Sequence, residues 1–235
     1  MKSVFHKADS RGHVNHRWLD SYHTFSFANY HNSERMGFGV LRVLNDDTVA
    51  PRMGFNLHPH KNMEIVSIPL NGGLEHKDSM NNLSVITEGD IQVMSAGTGI
   101  FHSEKNKNSD VPVKFLQIWL IPNKENVEPR YDQIRINFTN NGFKQILSPN
   151  PDDEGVWIYQ NAWFYIGKFT ENIKTTYKLK EKNNGLYVFV IEGGAVLNGR
   201  KLEKRDGIGI WEIKKIEINA DANSKILIME VPMKI

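Results

Sequence analysis

The chain has 235 residues, enough for one large domain or two of ordinary size. Its 29 basic and 27 acidic side chains leave a formal charge of +2, which excludes the broad basic surface of a nucleic-acid binder. There is no cysteine, so disulfides, thiolate metal sites and cysteine nucleophiles are excluded, and no apolar run approaches the ~18 residues of a membrane helix.

In chain order, short runs of β-branched, aromatic and aliphatic residues recur between turn signals. In the first half they fall at 39–43 (GVLRV), 64–70 (EIVSIPL), 83–86 (LSVI), 90–94 (DIQVM) and 114–121 (KFLQIWLI). In the second half they fall at 163–169 (WFYIGKF), 186–191 (LYVFVI), 195–197, 207–211, 215–218 and 225–231 (KILIMEV). No stretch carries a convincing helical stripe. Gly, Asn and Asp mark the turns at 71–73, 88–90, 192–194 and 198–199. Many short strands at this spacing predict a sandwich or barrel.

An internal echo supports two such units. Residues 68–74 followed by 88–94 read as strand, Gly-Gly turn, strand, then a Gly/Asp turn opening another strand. Residues 190–196 followed by 205–211 repeat the order, offset by roughly half the chain. We therefore expect an all-β chain of two tandem antiparallel β-barrel domains, 1–125 and 126–235. Residues 122–151 are expected to connect them, and the less regular first 50 residues to wrap the first barrel. The opening residues lack the apolar core of a signal peptide, so the expected location is the cytoplasm.

Histidine is distributed unevenly. All nine lie within the first 102 residues, so imidazole chemistry belongs to the N-terminal half. Two motifs stand out, 54–64 (GFNLHPHKNME) and 97–106 (GTGIFHSEKN). Residues i and i+2 of a strand point to one face, about 6.5–7 Å apart. His58 and His60 can thus converge inside a barrel, and so can His102 and Glu104. Three imidazoles and a carboxylate suit Fe(II), Mn, Ni, Cu or Zn. Glu64 shares the spacing parity of His58 and His60, so the choice of carboxylate stays open between Glu104 and Glu64. His76 is expected to be a strand or turn histidine bonded to a backbone carbonyl. His13, His16 and His23 are expected at the surface or in loops.

The two motifs resemble the paired H-x-H-x3-E and H-x3-N motifs of the cupin superfamily. The stretches 58–66, 73–79 and 92–106, with 11–30, 37–46 and 129–131, resemble the pirin family and most of all its bacterial quercetin 2,3-dioxygenase-like members. The resemblance implies a bicupin with one divalent metal ion, in the first domain only. It implies His58, His60, His102 and Glu104 as ligands, with Fe(II) the expected ion and Ni, Cu, Mn or Zn compatible. It further implies dioxygenase cleavage of a flavonol such as quercetin with release of CO, Glu104 being the catalytic base. The partners would be a small aromatic enol and O2, without nucleic acid or membrane, and the chain would be a monomer. The same family includes metal-binding, redox-responsive proteins that contact other proteins, and that non-catalytic reading is the alternative.

Overall fold

Strand alternation decides the architecture. In the central strand Val113–Leu120, Leu116, Ile118 and Leu120 join one apolar cluster, while Val113 and Phe115 join another on the opposite face. The strand Ser224–Pro232 divides in the same way: Leu227, Met229 and Val231 go to one side, Ile226 and Ile228 to the other. Strands apolar on both faces belong in the middle of sheets that are covered on both sides.

The computed structural model describes residues 1–138 and 141–234. The first half is a seven-stranded sheet facing a four-stranded one. The large sheet runs Arg130–Arg135, Asp90–Ser95, Glu64–Asn71, Val113–Leu120, Leu41–Val49, Leu19–His23, Gly12–Asn15. The small sheet runs Gly54–His60, Ile100–Asn106, Gly73–Asp78, Leu83–Thr87. The second half repeats the plan. Its large sheet runs Lys2–His6, Gly207–Trp211, Asn184–Glu192, Ser224–Pro232, Trp163–Phe169, Gly142–Ser148, Val156–Trp157. Its small sheet runs Ile173–Lys178, Lys215–Ala220, Ala195–Leu197, Arg200–Leu202.

This is the expected all-β bicupin, built as two jelly-roll sandwiches. Within each unit the backbone ladders of the two sheets stay separate among the described residues. Across one seam of the first unit, side chains make the link: Ser84 of the small sheet donates to Gln133 of the large one. The only helical element among the described residues is the single 3-10 turn Ala8–Ser10. Among the described residues no helix is long and apolar enough to cross a membrane.

Two expectations about organisation need correction. The N-terminal segment does not simply wrap the first unit: Lys2–His6 pairs with Gly207–Trp211 and is an edge strand of the second. The supposed connection holds two strands, Arg130–Arg135 on the edge of the first large sheet and Gly142–Ser148 in the second. Residues 139 and 140 of that segment lie outside the described residues. These strands show no clean alternation because they lie at or near sheet edges and are only partly covered. A division at 125/126 therefore remains a proposal, one that strands cross in both directions.

The largest apolar cluster lies between the two large sheets. Val66, Ile68, Leu116 and Ile118 meet Phe164, Ile166, Phe189 and Leu227 there. The interior of the second unit is also apolar, packed with Leu186, Val188, Ile208, Ile216, Ile218 and Ile228. Its buried carboxylate, Glu230, is saturated by the Tyr177 hydroxyl, the Asn184 amide and the backbone N–H groups of Lys180 and Glu181. The interior of the first unit is different. Its apolar residues form two small clusters, one around Phe115, Leu74 and Ile86 and one around Ile65, Met94 and Ile100.

The exchanged first strand makes one buried polar contact into this core, between His6 Nδ1 and the Tyr187 hydroxyl at 2.8 Å. Tyr187→Phe keeps the ring packing and leaves a buried imidazole nitrogen without its partner. The expected loss is about 1–3 kcal/mol of unfolding free energy in a urea titration. An unchanged midpoint would show that the contact contributes nothing to holding the first strand.

Candidate metal centre

The polar interior of the first unit is set by register. Reading across the large sheet, His23 lies opposite Asn45, Asn45 opposite Gln117, Gln117 opposite Ser67, Ser67 opposite Gln92, and Gln92 opposite Gln133. One row of polar side chains thus crosses six strands, between the two small apolar clusters. The small sheet closes over it.

On the small sheet, Ile100–Asn106 alternates cleanly. Ile100, His102, Glu104 and Asn106 are buried, whereas Phe101 and Lys105 are exposed. Its neighbour Gly54–His60 pairs His58 directly with His102 and Phe55 with Glu104. The irregularity between those pairs is a bulge that gives Gly54–His60 an extra residue, so Phe55 and His58 both face inward. The ring centroids of His58, His60 and His102 form a near-equilateral triangle with sides of 4.4, 4.9 and 4.9 Å. One nitrogen from each falls within 4.8 Å of the others, and among the described residues this is the one such group of His, Asp or Glu side chains.

The polar atoms of these rings test whether a cation fits. His58 Nδ1 lies 2.7 Å from the Asn56 carbonyl, so it carries the proton and leaves Nε2 a free lone pair. His102 Nε2 is buried with no hydrogen-bond partner. An unpaired buried nitrogen of this kind costs about 1–3 kcal/mol unless something electron-poor meets it. Burial pushes the His60 ring down to about 4, with His58 adding to the effect. Burial, then the charges that His58, His60 and His76 would carry, push His102 down to about 2. Both rings are therefore neutral near neutral pH, the form that binds metals. The donor set fits a divalent transition-metal ion.

The carboxylates separate clearly. Glu104 is buried and lines the same cavity, but it lies outside the histidine group. Gln117 Nε2 donates to both of its oxygens, at 3.1 and 2.8 Å, and Ser67 donates to one at 3.3 Å. Burial pushes its carboxyl up to about 7 against those hydrogen bonds. Glu64 is equally buried but sits on the large sheet and accepts from Ser95 at 2.7 Å. Its strand neighbours on that face, Val66 and Ile68, pack against the second unit. The parity that tied Glu64 to His58 and His60 is lost because the chain changes sheets at 61–63, where Asn62 takes a positive φ of 46°.

The histidines open on a cavity of about 520 Å³, within the usual range for small-molecule sites. Trp18, Leu19, Phe27, Phe55 and Trp119 supply apolar wall, and Asn45, Asp47 and Gln117 supply polar groups. Burial pushes the Asp47 carboxyl up to about 7, partly opposed by the hydrogen bond from Ser21. The Trp119 indole meets His60 edge-on at 4.9 Å. A larger cleft of about 900 Å³ along the small sheet reaches Glu104 and Asp78 but none of the three histidines.

Several functional neighbours were not anticipated. His23 is buried in the strand Leu19–His23 and lines the cavity with His16, whereas His13 is exposed and paired with Asp20. His76 is fully buried and bonded to the Asp78 carboxylate at 3.0 Å, not to a backbone carbonyl. Burial lowers the His76 pKa while Asp78 opposes the fall. For Asp78, burial is outweighed by the hydrogen bonds from His76 and Asn82, which hold the carboxyl below its usual value. The polar belt did leave a signal: Ser67, Gln92 and Gln117 are polar residues inside otherwise apolar strand runs.

Known proteins show the same organisation. The Pirin family pattern matches residues 4–120, and a pattern described as the quercetinase C-terminal cupin domain matches 145–231. A quercetin 2,3-dioxygenase of Escherichia coli K12 is 40% identical over 226 residues, covering 96% of this chain and 97% of the relative. A pirin-like protein of Caulobacter vibrioides is 33% identical, covering 94% and 96%. The crystal structure of the E. coli bacterial pirin YhhW in complex with nickel(II) superposes with a TM-score of 0.93 at 39% identity, covering 98% and 99%. With two cupin units, a histidine triad in the first and full-length likeness to these proteins, the chain belongs to the pirin family.

Proposed function

We propose that the chain is a metal-dependent dioxygenase that opens the heterocycle of a flavonol such as quercetin, consuming O2 and releasing CO. The observation that carries this reading is the triad of converging imidazoles, one with an unpartnered buried nitrogen, on the wall of a largely apolar cavity. Full-length relatives named as quercetin 2,3-dioxygenases support it.

His58, His60 and His102 would hold the ion, with Glu104 as the fourth protein ligand. A divalent ion there supplies Lewis acidity and a template for bringing substrate and dioxygen together. Fe(II), the expected ion, and the nickel(II) of the E. coli relative both suit this donor set. Phe27, Phe55 and Trp119 would clamp a flat aromatic substrate and keep water out. Glu104 would take the proton of the enol hydroxyl, with Gln117 fixing the plane of its carboxylate. The accompanying picture is of a cytoplasmic monomer acting on a small molecule.

The test uses the full chain, stripped of metal and reconstituted separately with Fe(II), Ni(II), Cu(II), Mn(II) and Zn(II). O2 uptake and CO release are followed with quercetin in one vessel. Turnover is expected with at least one ion at one equivalent per chain, and none is expected in the stripped protein or in His58→Ala. Confirmed loading without turnover for every ion would overturn the dioxygenase reading.

Glu104→Gln should lower kcat by about 10²–10⁴-fold, the usual contribution of a positioned base. Unchanged turnover would remove Glu104 from the mechanism. Glu64→Gln should leave metal content at the wild-type value, because its carboxylate faces the second unit; loss of metal there would reverse the choice of ligand.

A further inference from the structure

Behind the triad lies a short chain of buried polar groups whose proton positions follow from counting donors and acceptors. The strand Gly73–Asp78 pairs with Ile100–Asn106 so that Asp78 lies opposite His102 and His76 opposite Glu104. Leu74, His76 and Asp78 point inward. Asp78 Oδ1 accepts from the backbone N–H groups of Met80 and Asn82 at 2.9 and 3.0 Å. Asp78 Oδ2 accepts from Asn82 Nδ2 at 2.9 Å and lies 3.0 Å from His76 Nε2. A carboxylate so loaded is an acceptor only, so His76 Nε2 carries a proton and donates it. A neutral His76 then has a lone pair at Nδ1. That atom lies 3.5 Å from His102 Nδ1, the long limit of a hydrogen bond, and neither nitrogen has another partner. Tyr131 stacks on the His76 ring at 4.7 Å and 27°, which fixes the ring plane.

We infer that Asp78 and His76 are positioning residues that set the tautomer of His102, placing its proton on Nδ1 so that the Nε2 lone pair faces His58 and His60. The proton sequence runs from Asp78 carboxylate to His76 Nε2–H, then from His76 Nδ1 to His102 Nδ1–H, and ends at the bare His102 Nε2. Without this arrangement His102 could carry its proton at Nε2, between the other two imidazoles, and the triad would lose one donor. The inference rests on the reading of the triad as a metal centre, but the tautomer itself is measurable without metal.

The geometry makes Asp78→Asn the sharpest variant. Its oxygen stays with the two backbone N–H groups, so the new amide nitrogen takes the place of Oδ2, donates to His76 Nε2, and meets the Asn82 amide turned to present its oxygen. The sequence then reverses: His76 Nδ1–H donates to His102 Nδ1, and the proton of His102 moves to Nε2. His76→Gln preserves the wild-type sense, because its amide nitrogen can donate to Asp78 while its oxygen accepts from His102 Nδ1. His76→Phe keeps the stacking on Tyr131 and removes both links.

The experiment is two measurements on the full-length protein. Ring-nitrogen NMR of the metal-free chain reads the His102 tautomer. Chelator competition reads Ni(II) affinity. The wild type and His76→Gln should show His102 protonated at Nδ1, and Asp78→Asn should show it protonated at Nε2. Ni(II) affinity should fall about 10–100-fold in Asp78→Asn and His76→Phe, as for other partners of metal-bound histidines, and stay near wild type in His76→Gln. If His76→Phe does not fold, Asp78→Asn and His76→Gln carry the comparison. A merely structural role would lower the melting temperature and leave the tautomer and Ni(II) affinity of Asp78→Asn unchanged, which would overturn the inference. Wild-type protein with the inferred tautomer but no Ni(II) binding would overturn the metal reading and leave the tautomer assignment standing.

Discussion

Two large sheets pack face to face, and the apolar cluster between them draws on both halves of the chain. Each buried side chain there removes its apolar surface from water, worth roughly 1.5–3 kcal/mol for a Val, Leu, Ile or Phe. The first unit therefore does not depend on its own interior for most of its apolar burial. That interior can carry a row of amides with one hydroxyl, a buried glutamate and five imidazoles, with apolar packing confined to its two ends. The second unit shares the same interface but fills its own interior with aliphatic residues. One unit supplies structure and the other is released to do chemistry.

The same division explains how the site is held. Glu104 is fixed by Gln117 and Ser67, both on the large sheet, while the histidines belong to the small one. The hydrogen bonds to Glu104 thus tie the two layers together across the cavity. Buried polar networks of this kind are costly when incomplete and rigidifying when satisfied. Here Glu104 finds its donors, and the buried nitrogen left over in the triad is His102 Nε2.

Much of this was legible in the residues. Short apolar runs between turn signals marked the strands in the middle of sheets, and the i, i+2 pairs placed His58 with His60 and His102 with Glu104 on common faces. Local patterning failed where position depends on partners distant in the chain. Lys2–His6 looks like an irregular N-terminus because its partner, Gly207–Trp211, lies at the other end of the chain. Glu64 kept its apparent parity only until the chain changed sheets. His76 looked like an ordinary strand histidine because its role depends on the pairing that sets it opposite Glu104 and within reach of His102. The polar belt was visible as misplaced polar residues, but its alignment into one row is a property of register, which short-range patterning does not encode.

The exchanged first strand also bears on how the chain reaches this state. Lys2 and Glu212, 210 positions apart, form an ion pair at 2.6 Å beside the Lys2–His6 ladder. During synthesis from the N-terminus, those first residues emerge long before the strand they pair with. The first unit can assemble around its histidines while the opening segment waits as an unpaired edge. The second sheet is complete only when Lys2–His6 meets Gly207–Trp211, a long-range closure of the kind whose entropy cost must be met before its contacts reward it.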